Sequence, residues 1–135
     1  MWAIQLMYKF RDRGFRHLAH VTHNYIYYKY HVDIAVTSQI HPSVRFPHPL
    51  GIVVGSGVKI GKDSVVFQNV TLGAKIYEGG EWRFPTVEER CKIYQNSSVI
   101  GDIVIGSDTI IGSGSVVTHS TDGGGRFCRS TSKAA

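Results

Sequence analysis

The sequence predicts a parallel β-helix carried behind a short helical segment, and three observations support that expectation. A large aliphatic residue returns every six positions over most of the chain. A small residue stands two positions before many of these, and glycine often follows directly. Residues 1–30 instead place apolar side chains three to five apart. A period of six fits neither an amphipathic helix, which repeats at about 3.6, nor an alternating strand, which repeats at two.

Residues 1–31 form the first segment. Trp2, Leu6, Phe10, Phe15, Leu18, Val21, Tyr25 and Tyr28 recur among basic side chains and histidines, which predicts two helices broken near Gly14. Their apolar stripe is expected to pack on the rest of the protein or on a neighbouring subunit, with membrane-surface association as a minor alternative.

From Ile34 the period becomes six. Ile34, Ile40, Phe46 and Ile52 make one register, and Val54, Ile60, Val66 and Leu72 a second. Val87, Ile93, Val99, Ile105, Ile111 and Val117 make a third, preceded at two positions by Pro85, Cys91, Ser97, Ile103, Thr109 and Ser115. In such a repeat each unit is one short strand and corner of a prism, and three units close a coil. Val54 should therefore stack on Leu72, Val87 on Ile105, Ile93 on Ile111 and Val99 on Val117. Gly55, Gly61, Gly73, Gly106 and Gly112 are expected at corners that need positive φ. The frame slips between Ile52 and Val54, just after "HPLG", and "AKIYEGGEWRF" (74–84) is expected as a loop expelled from the coil, where sites on rigid scaffolds tend to lie. The β-helix is placed at 32–119 and an irregular tail at 120–135.

At 135 residues, one domain is the natural reading. The net charge of +5 suits an anionic ligand, but no recognition motif accompanies it, so no nucleic-acid partner is expected. Cys91 and Cys128 lack CxxC spacing, which points to a reducing cytoplasm rather than to a disulfide scaffold or zinc knuckle. No apolar run approaches the ~18 residues of a membrane span, and Met1-Trp2-Ala3 opens no signal peptide. Within the prism His41, His48 and His119 lack the paired spacing of a β-helical metal site, so no metal is expected.

The motifs "VDI" (32–34), "HPLGIVVG" (48–55), "QNVTLG" (68–73) and "IIGSGSVV" (110–117) resemble, in order and spacing, the hexapeptide-repeat acyltransferases. The nearest branch is the serine acetyltransferase-like group, with its short sugar and polysaccharide O-acetyltransferases. The resemblance covers residues 32–118 and implies a left-handed parallel β-helix, a homotrimer, and acetyl-CoA as co-substrate in the groove between prisms. It makes His48 the general base and Asp33 the carboxylate that orients it. That pairing suits the chemistry: a hydroxyl attacks a thioester only as its proton leaves, and an imidazole with pKa near ~6.5 can take it at neutral pH. Gly73 falls where a backbone N–H would meet the thioester, and Gln95, Ser113 and Thr118 where the pantetheine arm would run. The same residues also suit plainer roles: a turn histidine, a capping aspartate, ordinary corners. Cys91, in the small slot, reads as core.

The departures are specific. Where serine acetyltransferases carry "R-H-P", this chain reads "RFP", with Phe84, and Pro47 stands where they place an aspartate before the base. The C-terminal "G-x-P-A" pattern is absent, and the helical segment is short. The resemblance therefore implies a small-molecule hydroxyl acceptor, with a saccharide stacked on Trp82 and Phe84 beside Arg83 as the first expectation. Trp82 equally suits packing of the loop. Serine O-acetylation and a non-catalytic trimeric β-helix are the alternatives.

Overall fold

The structure, a computed structural model, describes residues 1–127. Two helices, α1 (Trp2–Asp12) and α2 (Arg16–Tyr30), are separated by a turn in which Gly14 takes φ +80°. After His31, which closes α2 in the left-handed region, the chain winds into a parallel β-helix. One face stacks β1 (Asp33–Ile34), β3 (Val53–Val54), β6 (Thr71–Gly73), β11 (Ser98–Ile100) and β14 (Val116–Val117). The second stacks β2 (Gln39–Ile40), β4 (Lys59–Ile60), β9 (Thr86–Val87) and β12 (Val104–Ile105). The third stacks β5 (Val65–Val66), β10 (Lys92–Ile93), β13 (Ile110–Ile111) and β15 (Arg126–Phe127), with Arg45 bridged to Val65 at its start.

The four expected stacks form: Val54 on Leu72, Val87 on Ile105, Ile93 on Ile111 and Val99 on Val117. The frame slip is absorbed within the first coil, so that Ile34 lies on Val54 and Ile40 on Ile60. Ile52 accordingly leaves the large-residue column and occupies the slot two positions before Val54, fully buried. In that slot the buried hydroxyls of Ser64, Ser97, Thr109 and Ser115 each donate to a corner carbonyl, so the small polar residues leave no unpaired donor there.

Two expectations are corrected. Gly55, Gly61, Gly73, Gly106 and Gly112 do not take positive φ. The left-handed corners fall three residues after the large aliphatic, at Asp63, Asn69, Arg90, Asn96, Asp108 and Gly114. Short polar side chains tolerate that conformation better than most. Glycine follows the aliphatic because of space: a Cβ on Gly61 would lie 2.7 Å from the Glu88 carbonyl carbon, and one on Gly106 2.5 Å from Gly123 N. The segment from 120, expected to be irregular, continues the coil as far as it is described. Thr121 bridges to Ile105, its Oγ1 accepts the Gly106 N–H at 2.9 Å, and β15 extends the third face. Cys128 and the rest of the expected tail lie outside the described residues.

The expelled loop is a hairpin, β7 (Lys75–Ile76) against β8 (Trp82–Arg83). Tyr77 pins it to the prism wall, its hydroxyl accepting the Asp102 N–H at 3.1 Å. The helices cover the open end of the first coil. Ala3, Ile4, Met7, Ala19 and Ile26 join Val32 and Ile34 in one continuous core. Arg11 donates from Nη1 to the carbonyls of Val36 and Ser38, and Tyr8 Oη lies 2.8 Å from Ser38 Oγ, fixing α1 to the first corner.

Leu72→Ala, which empties a fully buried position in the aliphatic column, should cost about 2–5 kcal/mol. Gly61→Ala, which drives a methyl into backbone rather than into a mobile side chain, should cost about 1–3 kcal/mol. Urea unfolding followed by circular dichroism checks both, and a Gly61→Ala protein as stable as the parent would contradict the steric reading.

Candidate functional site

Asp33 opens the first face, its N–H donating to the Ile52 carbonyl at 2.8 Å. Its side chain projects outward, 53 % exposed, and Oδ1 lies 3.1 Å from Nε2 of His23 on α2. His23 is more enclosed, at 23 %, with its ring stacked on Tyr27 at 6.5 Å. A carboxylate on one ring nitrogen favours the proton there and leaves the other nitrogen as acceptor.

His48 sits exposed on the corner that joins the third face to the first. Its carbonyl accepts the Leu50 N–H at 2.8 Å, and the following Gly51 takes φ +63° and donates to the His31 carbonyl. Among the described residues its imidazole makes no hydrogen bond. The structure therefore sets Asp33 against His23, not against His48, although both belong to the first coil. His20 and His23, three apart, share a helix face; nothing in the sequence says that this face turns toward Asp33. The next corner up lies on Leu50, because Asn69 donates its N–H to that carbonyl at 2.9 Å. Beside Asn69, Gln68 Oε1 is buried without a partner among the described residues.

His20, His23 and Asp33 line a cleft of about 420 Å³ between α2 and the first two coils, together with Thr37, Ser56 and the small or aliphatic residues of the wall. The far side of this wall is held by the Arg11 and Tyr8 contacts described above. Burial pushes the Tyr8 phenol up, so it stays a neutral hydrogen-bonding group at Ser38.

The other expected site residues are distributed along the prism. Gly73 ends β6 opposite Ile100, and a Cβ there would approach Ile100 Cδ1 to 3.0 Å. Gln95 accepts the Gly114 N–H through its carbonyl. Ser113 lines a shallow depression of about 270 Å³ with Tyr94, Ile110, Gly112 and Arg126. Thr118 is exposed, its Oγ1 3.2 Å from His119 Nδ1. On the hairpin, Trp82 is 64 % exposed, and Arg83 is paired with Glu81 and Asp102 at 2.9 and 3.1 Å.

The aromatic platform expected from Trp82 and Phe84 does not form. Phe84 is half-buried and laid on two glycines: a Cβ at Gly55 or Gly57 would come within 2.7 or 2.5 Å of its ring. Phe84 thus packs as part of the prism wall, while Trp82 stands off on the hairpin. Among the described residues no group of three or more His, Cys, Asp or Glu converges as a metal site, and no helix is long and apolar enough to cross a membrane.

The aliphatic column, the small slot and the three stacked faces are those of a hexapeptide-repeat β-helix. Residues 84–119 match the family described as bacterial transferase hexapeptide (six repeats). The chain is 32 % identical over 119 residues to the serine acetyltransferase of Bacillus subtilis, covering 88 % of this chain and 54 % of the relative. Against that of Escherichia coli the figures are 35 % over 106 residues, 78 % and 38 %. A serine acetyltransferase of Neisseria gonorrhoeae in complex with serine aligns at TM-score 0.84 with 29 % identity, over 92 % of this chain and 50 % of that one. A serine acetyltransferase in complex with CoA aligns at TM-score 0.86 with 28 % identity, over 96 % and 52 %. The chain is thus similar to serine acetyltransferases over most of its own length and carries the bacterial transferase hexapeptide repeat. It spans roughly half or less of the length of these curated relatives.

Cys91 lies in the small slot, fully buried, and burial pushes its thiol up, so little thiolate forms at neutral pH. In a Cys128→Ser variant, a thiol reagent should find no reactive group in the native protein and one after denaturation. Rapid native labelling would contradict the core assignment.

Proposed function

We propose that this chain works as an acetyl-CoA-dependent O-acetyltransferase, a cytoplasmic homotrimer of left-handed β-helices, with L-serine as the acceptor. The observation that carries this reading is a corner imidazole, His48, on the same coil as Asp33, in a chain that aligns over 96 % of its length with a serine acetyltransferase in complex with CoA. The relatives named above are serine acetyltransferases rather than saccharide acetyltransferases, and Phe84, which the saccharide reading used as a stacking face, is packed on Gly55 and Gly57. The serine alternative fits better.

Acetyl-CoA would supply the activated acyl group. His48 then removes the hydroxyl proton as the acceptor attacks, and later returns a proton to the departing sulfur. Asp33 lowers the cost of the charge that gathers at the site. Gly73, without a side chain at the end of β6, leaves room for the thioester beside the strand, with the Ile100 side chain as its neighbour. Along the third face, the depression at Ser113 fits the carrier. It brings together an exposed guanidinium, Arg126, the exposed Ser113 and the Tyr94 ring, which suit phosphate, amide and apolar portions respectively.

CoA release from acetyl-CoA, followed with L-serine and with a panel of glycosides, tests the reaction. His48→Ala should lower kcat by roughly 10²–10⁴-fold with the fold intact, and Asp33→Asn should cost less. Near-parental turnover in His48→Ala would sink the mechanism, and absence of serine-dependent CoA release would sink the reaction.

A further inference from the structure

We infer that the face of α2 bearing Leu18, Val21, Tyr25 and Tyr28, widened by Trp2 and Phe15, docks on an anionic phospholipid surface and holds the protein there peripherally. Docking of this kind is independent of the reaction proposed above, and no helix among the described residues is long and apolar enough to cross a membrane.

α2 carries two apolar stripes. Ala19 and Ile26, with Thr22 between them, face the core and are buried. Leu18, Val21, Tyr25 and Tyr28, at helical spacing, share the neighbouring face and remain exposed, Val21 at 63 % and Tyr28 at 74 %. Trp2 of α1 continues this second stripe, its ring 6.3 Å from that of Tyr25 and 64 % exposed. The residues whose spacing marks the helical segment in the sequence are therefore largely those left uncovered, while Ala3, Ile4, Met7, Ala19 and Ile26 meet the prism. A contiguous exposed patch of this kind marks an interaction surface. Rings that combine an apolar body with a phenol O–H or an indole N–H suit a boundary where one end is wet.

Charge selects the partner. Residues 1–31 hold five lysines and arginines against Asp12 alone, which is +4 of the chain's net +5, so the rest of the chain is close to balanced. Arg11 is turned to the first corner and to Asp12. Lys9, Arg13, Arg16 and Lys29 are exposed and have no carboxylate partner among the described residues. Lys29 stands at the edge of the stripe, its ammonium 5.2 Å from the Tyr25 ring centroid, and Phe15 lies between Arg13 and Arg16 in the chain. Long basic side chains lay their stems along apolar surface and reach their charged heads to phosphates. A second copy meeting this face in a two-fold contact would bring the same unpaired cations together. The carboxylates of Glu81, Glu89, Asp102 and Asp108, elsewhere on the chain, are already engaged by Arg83 and Arg90. Anionic headgroups over an acyl boundary match both the charge and the stripe.

The test uses the full chain, sedimented with vesicles of phosphatidylglycerol and, separately, of phosphatidylcholine. The protein should bind phosphatidylglycerol vesicles, come off as salt is raised, and leave phosphatidylcholine vesicles largely bare. In a Trp82→Phe variant Trp2 is the remaining tryptophan, and its emission should shift to shorter wavelength with phosphatidylglycerol and not with phosphatidylcholine. Val21→Glu combined with Tyr28→Glu, both at exposed positions, should weaken vesicle binding by about tenfold or more. Arg16→Gln combined with Lys29→Gln should do so to a similar degree, about tenfold, each double variant keeping the circular dichroism of the parent. Absence of binding to phosphatidylglycerol vesicles at low salt, equal binding to both vesicles, or parental binding in the folded double variants would overturn the proposal. A parent that ignores vesicles, and whose mass in light scattering falls when Val21 and Tyr28 are replaced, would assign this face to contact between copies of the chain instead.

Discussion

The structure depends on coil-on-coil stacking. Each coil contributes one short strand to each of three faces, and the strand hydrogen bonds run to the coils above and below, so no coil is satisfied alone. The aliphatic column from Ile34 through Val54, Leu72 and Val99 to Val117, with its counterparts on the other faces, supplies the apolar burial that holds the stack. A prism of this kind must be closed at its ends, since an open first coil would expose Ile34 and leave backbone groups of the edge unpaired. Here α1 and α2 close it. His23 on α2 reaches Asp33 because the helix that covers the core must lie across the strand that bears that aspartate.

Much of this was legible in the sequence because the repeat is strict. The period of six identified the interior residues, and the four stacked pairs followed from it. The helices were legible from their three-to-five spacing. What the period could not carry was the difference between two reasons for glycine. Gly61 and Gly106 are required by neighbouring backbone, which belongs to the coil above, whereas positive φ falls on Asp63, Asn69 and Asp108, residues that local sequence alone does not single out. Nor could it place Thr121, whose burial follows from a bridge to Ile105 after the regular spacing has ended.

The site was legible in part, and the missing part has one physical cause. His48 and Asp33 stand in a recognisable frame, and the structure puts both on the first coil. The partner of Asp33 comes from a different element, His23 on α2, and helix rotation about its own axis is set by Ile26 and Ala19 seeking the core. A motif reports what is fixed along one segment. A contact between segments depends on how both pack, and here packing turned His20 and His23 inward to the cleft while leaving Leu18, Val21 and Tyr25 exposed.

Phe84 shows the same principle in reverse. Read along the sequence it is an aromatic residue next to an exposed Trp82, and a paired platform is the natural expectation. In space it faces Gly55 and Gly57, two positions without side chains that leave room for its ring. A half-buried ring that fills such a gap has little surface left to offer a ligand, and moving it outward would leave a void against the prism wall. Its neighbour Arg83 is likewise engaged, held by carboxylates on the hairpin and on the wall. Among the described residues, the polar side chains that stay at least partly exposed around the first coil include His48 on its corner and the His20, His23 and Asp33 set beneath α2. The element that closes the core thus also brings ionisable groups to the first coil, because His23 meets Asp33 only where α2 lies across β1.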